Sequence, residues 1–139
     1  MSELDEWNKT VIAEFRANGG KVGGQLEKTV VVLLHHRGRK TGTERINPLA
    51  SQVLDHGWAI FASKAGAPTD PEWYLNLVAS PRTTIEIGTE TVKVVARTAE
   101  GAERETIWET QKERFPGFAD YEVQAAPRVI PVVILEPAT

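Results

Sequence analysis

The chain has 139 residues, no cysteine, 41% hydrophobic and 25% charged residues, and a net charge of −3. Those values suit one soluble globular domain with a core large enough to fold unaided, so residues 1–139 are read as a single unit. Disulfides, thiolate catalysis and cysteine-ligated zinc are excluded, and a mildly acidic chain offers no global basic field for nucleic acid.

Residues 1–24 are read as a helix followed by a glycine-rich connection. The spacing of Trp7, Val11, Ile12 and Phe15 predicts a helix from about Leu4 to Ala17, capped by Ser2 or Asp5. Asn18-Gly19-Gly20 ends it, and Gly23-Gly24 leads to the first strand. The acidic start, Met1 to Glu6, lacks the apolar centre of a secretory signal. No apolar run approaches the ~20 residues of a membrane span. A cytoplasmic protein is the simplest expectation. Core packing by Trp7 and Phe15 is favoured over a peripheral membrane contact of this helix, which stays open beside it.

Lys28 to His36 reads as a strand whose run Val30 to Leu34 is apolar on both faces. Next come Arg37 to Arg45, with four cations, two glycines and threonine hydroxyls, and then a second strand, Ile46 to Leu54. Asp55-His56-Gly57 turns the chain into a third strand, Trp58 to Ser63, suggesting a hairpin. Lys64 to Pro71 is a loop, and Asp70-Pro71 signals the start of a helix over Glu72 to Ala79 with proline at its first position. Strands at Thr83 to Ile87 and Thr91 to Arg97 flank a Gly88-Thr89-Glu90 turn. A helix from Ala102 to Phe115 offers Ile107, Trp108 and Phe115 for packing. Phe118 to Gln124 reads as one short helical turn, and Arg128 to Leu135 as a last strand. Pro131 places the start of that strand at an edge or a bulge. About six short, mostly hairpin-connected strands with three helices indicate a mainly β, α+β chain: a small antiparallel barrel with helices packed on it. Absent βαβ alternation and GxGxxG argue against a Rossmann fold.

The basic stretch is the first candidate for chemistry. Arginine and lysine donate to phosphate or carboxylate, and glycines let backbone N–H groups approach an anion. A solvated basic turn explains the same residues equally well. Ser63-Lys64-Ala65-Gly66-Ala67-Pro68 repeats the pattern at the end of the third strand, so a hairpin would bring Lys64 near Arg39 to Arg45. Tyr74 and Asn76 on the following helix stay open as ligand contacts, whereas Trp73 and Leu77 read as packing residues. No nucleophile with a neighbouring base and no paired carboxylates stand out. His35 and His36 point to opposite faces of their strand, so no metal site is expected. A bound cofactor that supplies the reaction is the reading left standing.

Four stretches, in order, resemble the deazaflavin-dependent nitroreductase family. They are Phe15 to Gly24; Gly38-Arg39-Lys40-Thr41-Gly42 with Arg45 and Pro48-Leu49; Ala62 to Pro68 running on to Pro71 to Leu77; and Tyr121 with Pro127 to Val132. The resemblance implies a split β-barrel related to FMN-binding folds and coenzyme F420 as cofactor. It implies that Arg39, Lys40, Arg45 and Lys64 hold the cofactor's phosphate and oligoglutamate tail, with Thr41 and Asn47 in the same site. Backbone around Pro48, Leu49, Ala50, Phe61, Ala62 and Ser63 would line the ring, with Trp73, Tyr74 and Asn76 nearby. Tyr121 and Ser63 would orient a small-molecule substrate or supply a proton. The implied activity is hydride transfer from reduced F420 to a quinone, enone or nitroaromatic compound. An F420-sequestering protein without turnover and an FMN-binding relative are the alternatives. A homodimer is open too. Ala50-Ser51 stand where an aromatic often follows the Pro-Leu pair, and His35-His36 replace small or hydroxyl residues.

Overall fold

The structure, a computed structural model, describes residues 3–23 and 29–138. In chain order it has α1 (Glu3–Ala17), β1 (Val30–Arg37), β2 (Glu44–Leu54), β3 (Gly57–Phe61), α2 (Glu72–Ala79), β4 (Arg82–Ile87), β5 (Glu90–Thr98), α3 (Gly101–Arg114), α4 (Gly117–Ala125) and β6 (Val132–Pro137). The six strands close into one antiparallel barrel in the order β1-β2-β3-β6-β5-β4, with β4 pairing back onto β1. The mainly β split-barrel reading holds. The predicted start of the first strand at Lys28, and the Ser2 cap, lie outside the described residues.

Two-sided apolar strands account for the layers. On β1, Val32 and Leu34 enter the barrel with Ile60, Ile85, Val94 and Leu135, while Val31 and Leu33 face out onto Val11 and Phe15 of α1. On β6, Val133 and Leu135 point in and Val132 and Ile134 point out beneath Ile107 and Trp108 of α3. Strand alternation produces both faces from one unbroken run. The predicted partnership of Trp7 with Phe15 is corrected: Phe15 is buried, whereas Trp7 is 44% exposed.

Polar contacts fix the helices on the barrel. Buried Gln52 of β2 donates to the Ile107 carbonyl at 3.1 Å and to Gln111 Oε1 at 3.2 Å, tying β2 to α3. Trp108 Nε1 donates to Glu122 at 2.6 Å and joins α3 to α4, which is a nine-residue helix rather than a single turn. Arg16 of α1 pairs with Glu86 of β4 at 2.7 Å, and His35 bridges Glu86 and Glu44 at 2.7 and 3.1 Å.

Two expectations change. Pro131 lies just before β6, and β6 is an interior member of the closed sheet, paired with β3 and β5, so the strand is no edge. Its carbonyl accepts from Ala62 N at 3.0 Å, a role proline can fill although it donates nothing. Pro71, not Asp70, occupies the N-cap of α2 in an extended conformation. The Asp70 carboxylate instead pairs with Arg128 at 2.7 Å.

Gly57 opens β3 close against the Leu135 backbone of β6. Its φ is +154°, and an added Cβ would stand 2.1 Å from the Leu135 carbonyl oxygen. We expect Gly57→Ala to lower stability by about 3 kcal/mol in denaturant unfolding, from overpacking against backbone. Hydrogen bonding from Arg16, then from His35, holds the Glu86 carboxyl below its ordinary value of 4.5 against the opposing effect of burial. Its stabilising contribution is therefore present above pH 4.5 and lost as pH falls through the lowered value. Glu86→Gln should flatten that part of the acid limb of a stability–pH profile.

Candidate functional site

The end of the barrel that carries the Arg37 end of β1, the Glu44 start of β2 and the Phe61 end of β3 is crossed by α2. Trp73 and Leu77 descend from α2 into the barrel core. Helical spacing turns Glu72 and Asn76 toward the connection between β1 and β2, and Tyr74 toward β5, where its hydroxyl lies 3.2 Å from Thr98 Oγ1. A cleft of about 250 Å³ follows that second flank between Leu77, Val78, Pro81 and Val133.

The basic stretch is a closed turn. Gly38 N donates to the Thr43 carbonyl at 2.9 Å, Gly42 N to the Gly38 carbonyl at 2.7 Å, and Thr43 N to Thr41 Oγ1 at 3.2 Å. Gly42, at φ +72°, meets a backbone requirement that other residues satisfy poorly. Thr41 therefore closes the turn with its hydroxyl. Arg39 reaches α2: its Nη1 lies 2.7 Å from Glu72 Oε2 and 3.0 Å from Asn76 Oδ1, and its backbone N donates to the same Oδ1 at 3.1 Å.

Asn76 is buried and carries the connection inward. Its Nδ2 meets His36 Nδ1 at 3.0 Å, and His36 Nε2 meets Asn47 Oδ1 at 2.7 Å. Burial, above all, holds the His36 imidazole below its ordinary value of 6.5, with smaller contributions from Arg45 and His35 and an opposing one from the Asn47 bond. Sequence reading placed Asn47 and Asn76 in the site and missed the histidine between them. The available signal was parity: His36 continues the inward series Val32, Leu34.

The second loop, which follows β3, has three successive residues with positive φ: Lys64 at 48°, Ala65 at 53° and Gly66 at 82°. Such conformations cost non-glycine residues about 1–3 kcal/mol each and persist only where the surroundings enforce them. Arg128 is the enforcing group. Its guanidinium donates to the carbonyls of Ala62, Ser63 and Ala67 at 2.7–3.0 Å and to Asp70 at 2.7 Å. From the other side α4 presses on Gly66, where an added Cβ would lie 3.2 Å from the Tyr121 Cα. Arg128 lies within the Pro127 to Val132 stretch, to which the family resemblance gives no role. A cation at the head of the last apolar run was its only sequence signal.

The two loops converge on Glu72. Hydrogen bonding from Arg39, then its charge, holds that carboxyl below its ordinary value, and Lys40 and Lys64 act on it in the same direction. Lys64 Nζ also lies 3.1 Å from Thr69 Oγ1. Arg45 stands opposite His36 in the β1–β2 register. Arg39, Lys40 and Lys64 thus surround Glu72, while Arg45 lies by His36 at the same end of the barrel. Pro48 is buried, Leu49 packs against the barrel core, and Ala50 pairs with Val31.

Not every candidate shares a face. Ala62 points into the barrel, but the Phe61 ring points out and meets Trp108 and Phe118 at 5.9 and 5.6 Å. The Tyr121 ring packs on Phe118 at 5.4 Å, beside the Ser63–Ala67 loop rather than beside Arg39. Chemically, the cations around Glu72 suit a multiply charged anion that competes with Glu72 for Arg39.

The sequence profile described as F420H(2)-dependent quinone reductase matches residues 7–137. The chain belongs to that family. An F420H(2)-dependent quinone reductase of Mycobacterium tuberculosis is 30% identical over 127 residues, covering 88% of this chain and 85% of the relative. A solved F420-H2 dependent reductase, FDR-A, superposes with a TM-score of 0.69 at 36% identity, covering 76% of this chain and 93% of that one. A second solved chain, described as a domain-swapped dimer, gives a TM-score of 0.70 at 30% identity over 97% of this chain and all of its own. The motif resemblance was to deazaflavin-dependent nitroreductases; the matching family carries the quinone reductase name, and the two share F420 and the split barrel. The cations around Glu72 fit the anionic tail that such a cofactor carries.

Arg128→Ala should destabilise the protein by roughly 3 kcal/mol, because it strands the Asp70 carboxylate and three carbonyls. Arg128→Lys should recover less than half, since an ammonium lacks the planar fork that reaches all four acceptors. Thermal unfolding of both variants measures the difference.

Proposed function

We propose that this chain uses reduced coenzyme F420 to reduce an electrophilic organic acceptor, with quinones as the first substrate class and enones and nitroaromatics as further ones. The observation that carries the reading is the meeting of two cationic loops at the first turn of α2. Membership of the F420H(2)-dependent quinone reductase family supports the same cofactor.

When bound, reduced F420 supplies a hydride. Arg39, Lys40, Arg45 and Lys64 hold its phosphate and oligoglutamate tail, with Thr41 shaping the loop that presents them. Backbone of Pro48, Leu49, Ala50 and of Phe61 to Ser63 lines the ring beside Trp73, Tyr74, Asn47 and Asn76. A quinone needs one proton with each hydride to become a hydroquinone, and the Ser63 and Tyr121 hydroxyls orient it or deliver that proton. Barrel walls of Val32, Leu34, Ile60 and Leu135 exclude water behind the site.

A cytoplasmic location belongs to this proposal. A homodimer draws support from the relative solved as a domain-swapped dimer. A peripheral membrane contact of α1 has Trp7 alone in its favour. The sequestering alternative differs at the hydroxyls, because Tyr121→Phe would then change nothing measurable, whereas a reductase should lose turnover.

Titration with F420, followed by tryptophan fluorescence, should show saturable binding. Lys40→Ala and Arg45→Ala should each weaken it by roughly 1–3 kcal/mol, as the loss of a charge-assisted hydrogen bond does. Unchanged affinity in both variants removes the proposed anion site. Protein that purifies yellow with retained flavin would favour FMN over F420.

A further inference from the structure

The hydrogen-bond chain from Arg39 through Asn76 and His36 to Asn47 has a direction, and backbone chemistry sets it. Asn76 Oδ1 receives the Arg39 backbone N–H at 3.1 Å and its Nη1 at 3.0 Å. Both groups only donate, so the carboxamide oxygen faces Arg39 and the amide nitrogen faces His36. Asn76 Nδ2 also only donates, so His36 Nδ1, 3.0 Å away, presents a lone pair. The ring proton of neutral His36 is then on Nε2, donating to Asn47 Oδ1 at 2.7 Å. Each link's polarity follows from the one before it.

We propose that His36 is a positioning residue for the anion-binding end of the site, where its neutral, Nε2-protonated ring orients Asn76 and, through it, Arg39, while fixing the amide of Asn47. The claim rests on the preceding functional reading for Arg39 and Asn47 as ligand-facing groups.

Protonation breaks the chain for a geometric reason. An imidazolium carries N–H at both nitrogens, so Nδ1–H would oppose Asn76 Nδ2–H. Turning the carboxamide over to satisfy the ring would present its NH2 to the Arg39 N–H, and Arg39 would lose both bonds to Asn76. The charge of Arg45, opposite His36 on β2, acts directly on the ring, and the titratable His35 adjoins it on β1. Glu72 on α2 reaches it only through Arg39. A histidine buried merely for packing would need no defined tautomer and would not pass its charge state to Arg39.

Three measurements on the full chain test this. Imidazole nitrogen shifts, assigned by difference with His36→Gln, should report the Nε2–H tautomer at neutral pH. Arg39 amide hydrogen exchange should be slow in the wild type and in His36→Gln, but fast in a folded His36→Leu variant. Glutamine can accept from Asn76 through Oε1 and donate to Asn47 through Nε2 without titrating. F420 binding should therefore be similar in wild type and His36→Gln at neutral pH, and about tenfold weaker in His36→Leu. The ratio of His36→Gln to wild-type affinity, in which any titration of the ligand cancels, should rise as pH falls below the ordinary imidazole value of 6.5, approaching about tenfold once His36 is protonated in free and bound protein alike. An Nδ1–H tautomer, a pH-independent ratio, or wild-type binding by His36→Leu overturns the proposal. If the wild type binds no F420 at any pH, the cofactor reading fails; the tautomer and Arg39 exchange then still decide whether His36 positions Arg39.

Discussion

The Arg39 side of the candidate site is referenced to α2, and α2 is held by the insertion of Trp73 and Leu77 into the open end of the barrel. Burial of two large apolar side chains supplies several kcal/mol, enough to fix an eight-residue helix that would not persist alone. Once those two are seated, helical geometry leaves no choice for the rest. Glu72 and Asn76 must face the β1–β2 connection, and Tyr74 must face Thr98 of β5. The packing residues thus set the angle at which the polar ones work.

The loop after β3 shows the opposite economy. Lys64 and Ala65 are held in left-handed conformations that local preference resists. Arg128 overrides that preference by gathering three carbonyls and the Asp70 carboxylate around one planar group. Because Arg128 precedes β6, the pairing of β6 between β3 and β5 carries the clamp into place. Strain in the loop that presents Ser63 and Lys64 is therefore offset by the last strand to be added in sequence. Such stored strain is common where a backbone must be aimed at a ligand.

Electrostatics explain how a chain with net charge −3 can gather cations at the proposed anion site. The acidic residues are spread, and several are spent on holding the scaffold, as with Glu86 against Arg16 and Glu122 against Trp108. Arg39, Lys40 and Lys64 share Glu72 as their carboxylate, and Arg45 stands beside His36 at the same end of the barrel. Glu72 is exposed, so it orders Arg39 without keeping an incoming anion from displacing it. His36, buried at the same barrel end, couples that order to a protonation state.

Local pattern alone determined the strand and helix order. The helix over Glu72 to Ala79 was legible in its place after Asp70-Pro71, and the two-faced run at Val30 to Leu34 required cover on both sides. The basic turn and the Ser63-Lys64 loop were equally visible, because glycine and cation placement are written directly in the chain. What the tertiary structure decided is which distant groups meet. The cap of α2, the partners of Asp70 and the enclosure of β6 depend on Arg128 and on barrel closure across the whole length of the chain, contacts that no local window contains. The same holds for His36: sequence placed it at a strand end, and only the meeting of β1, β2 and α2 gave its two nitrogens different partners.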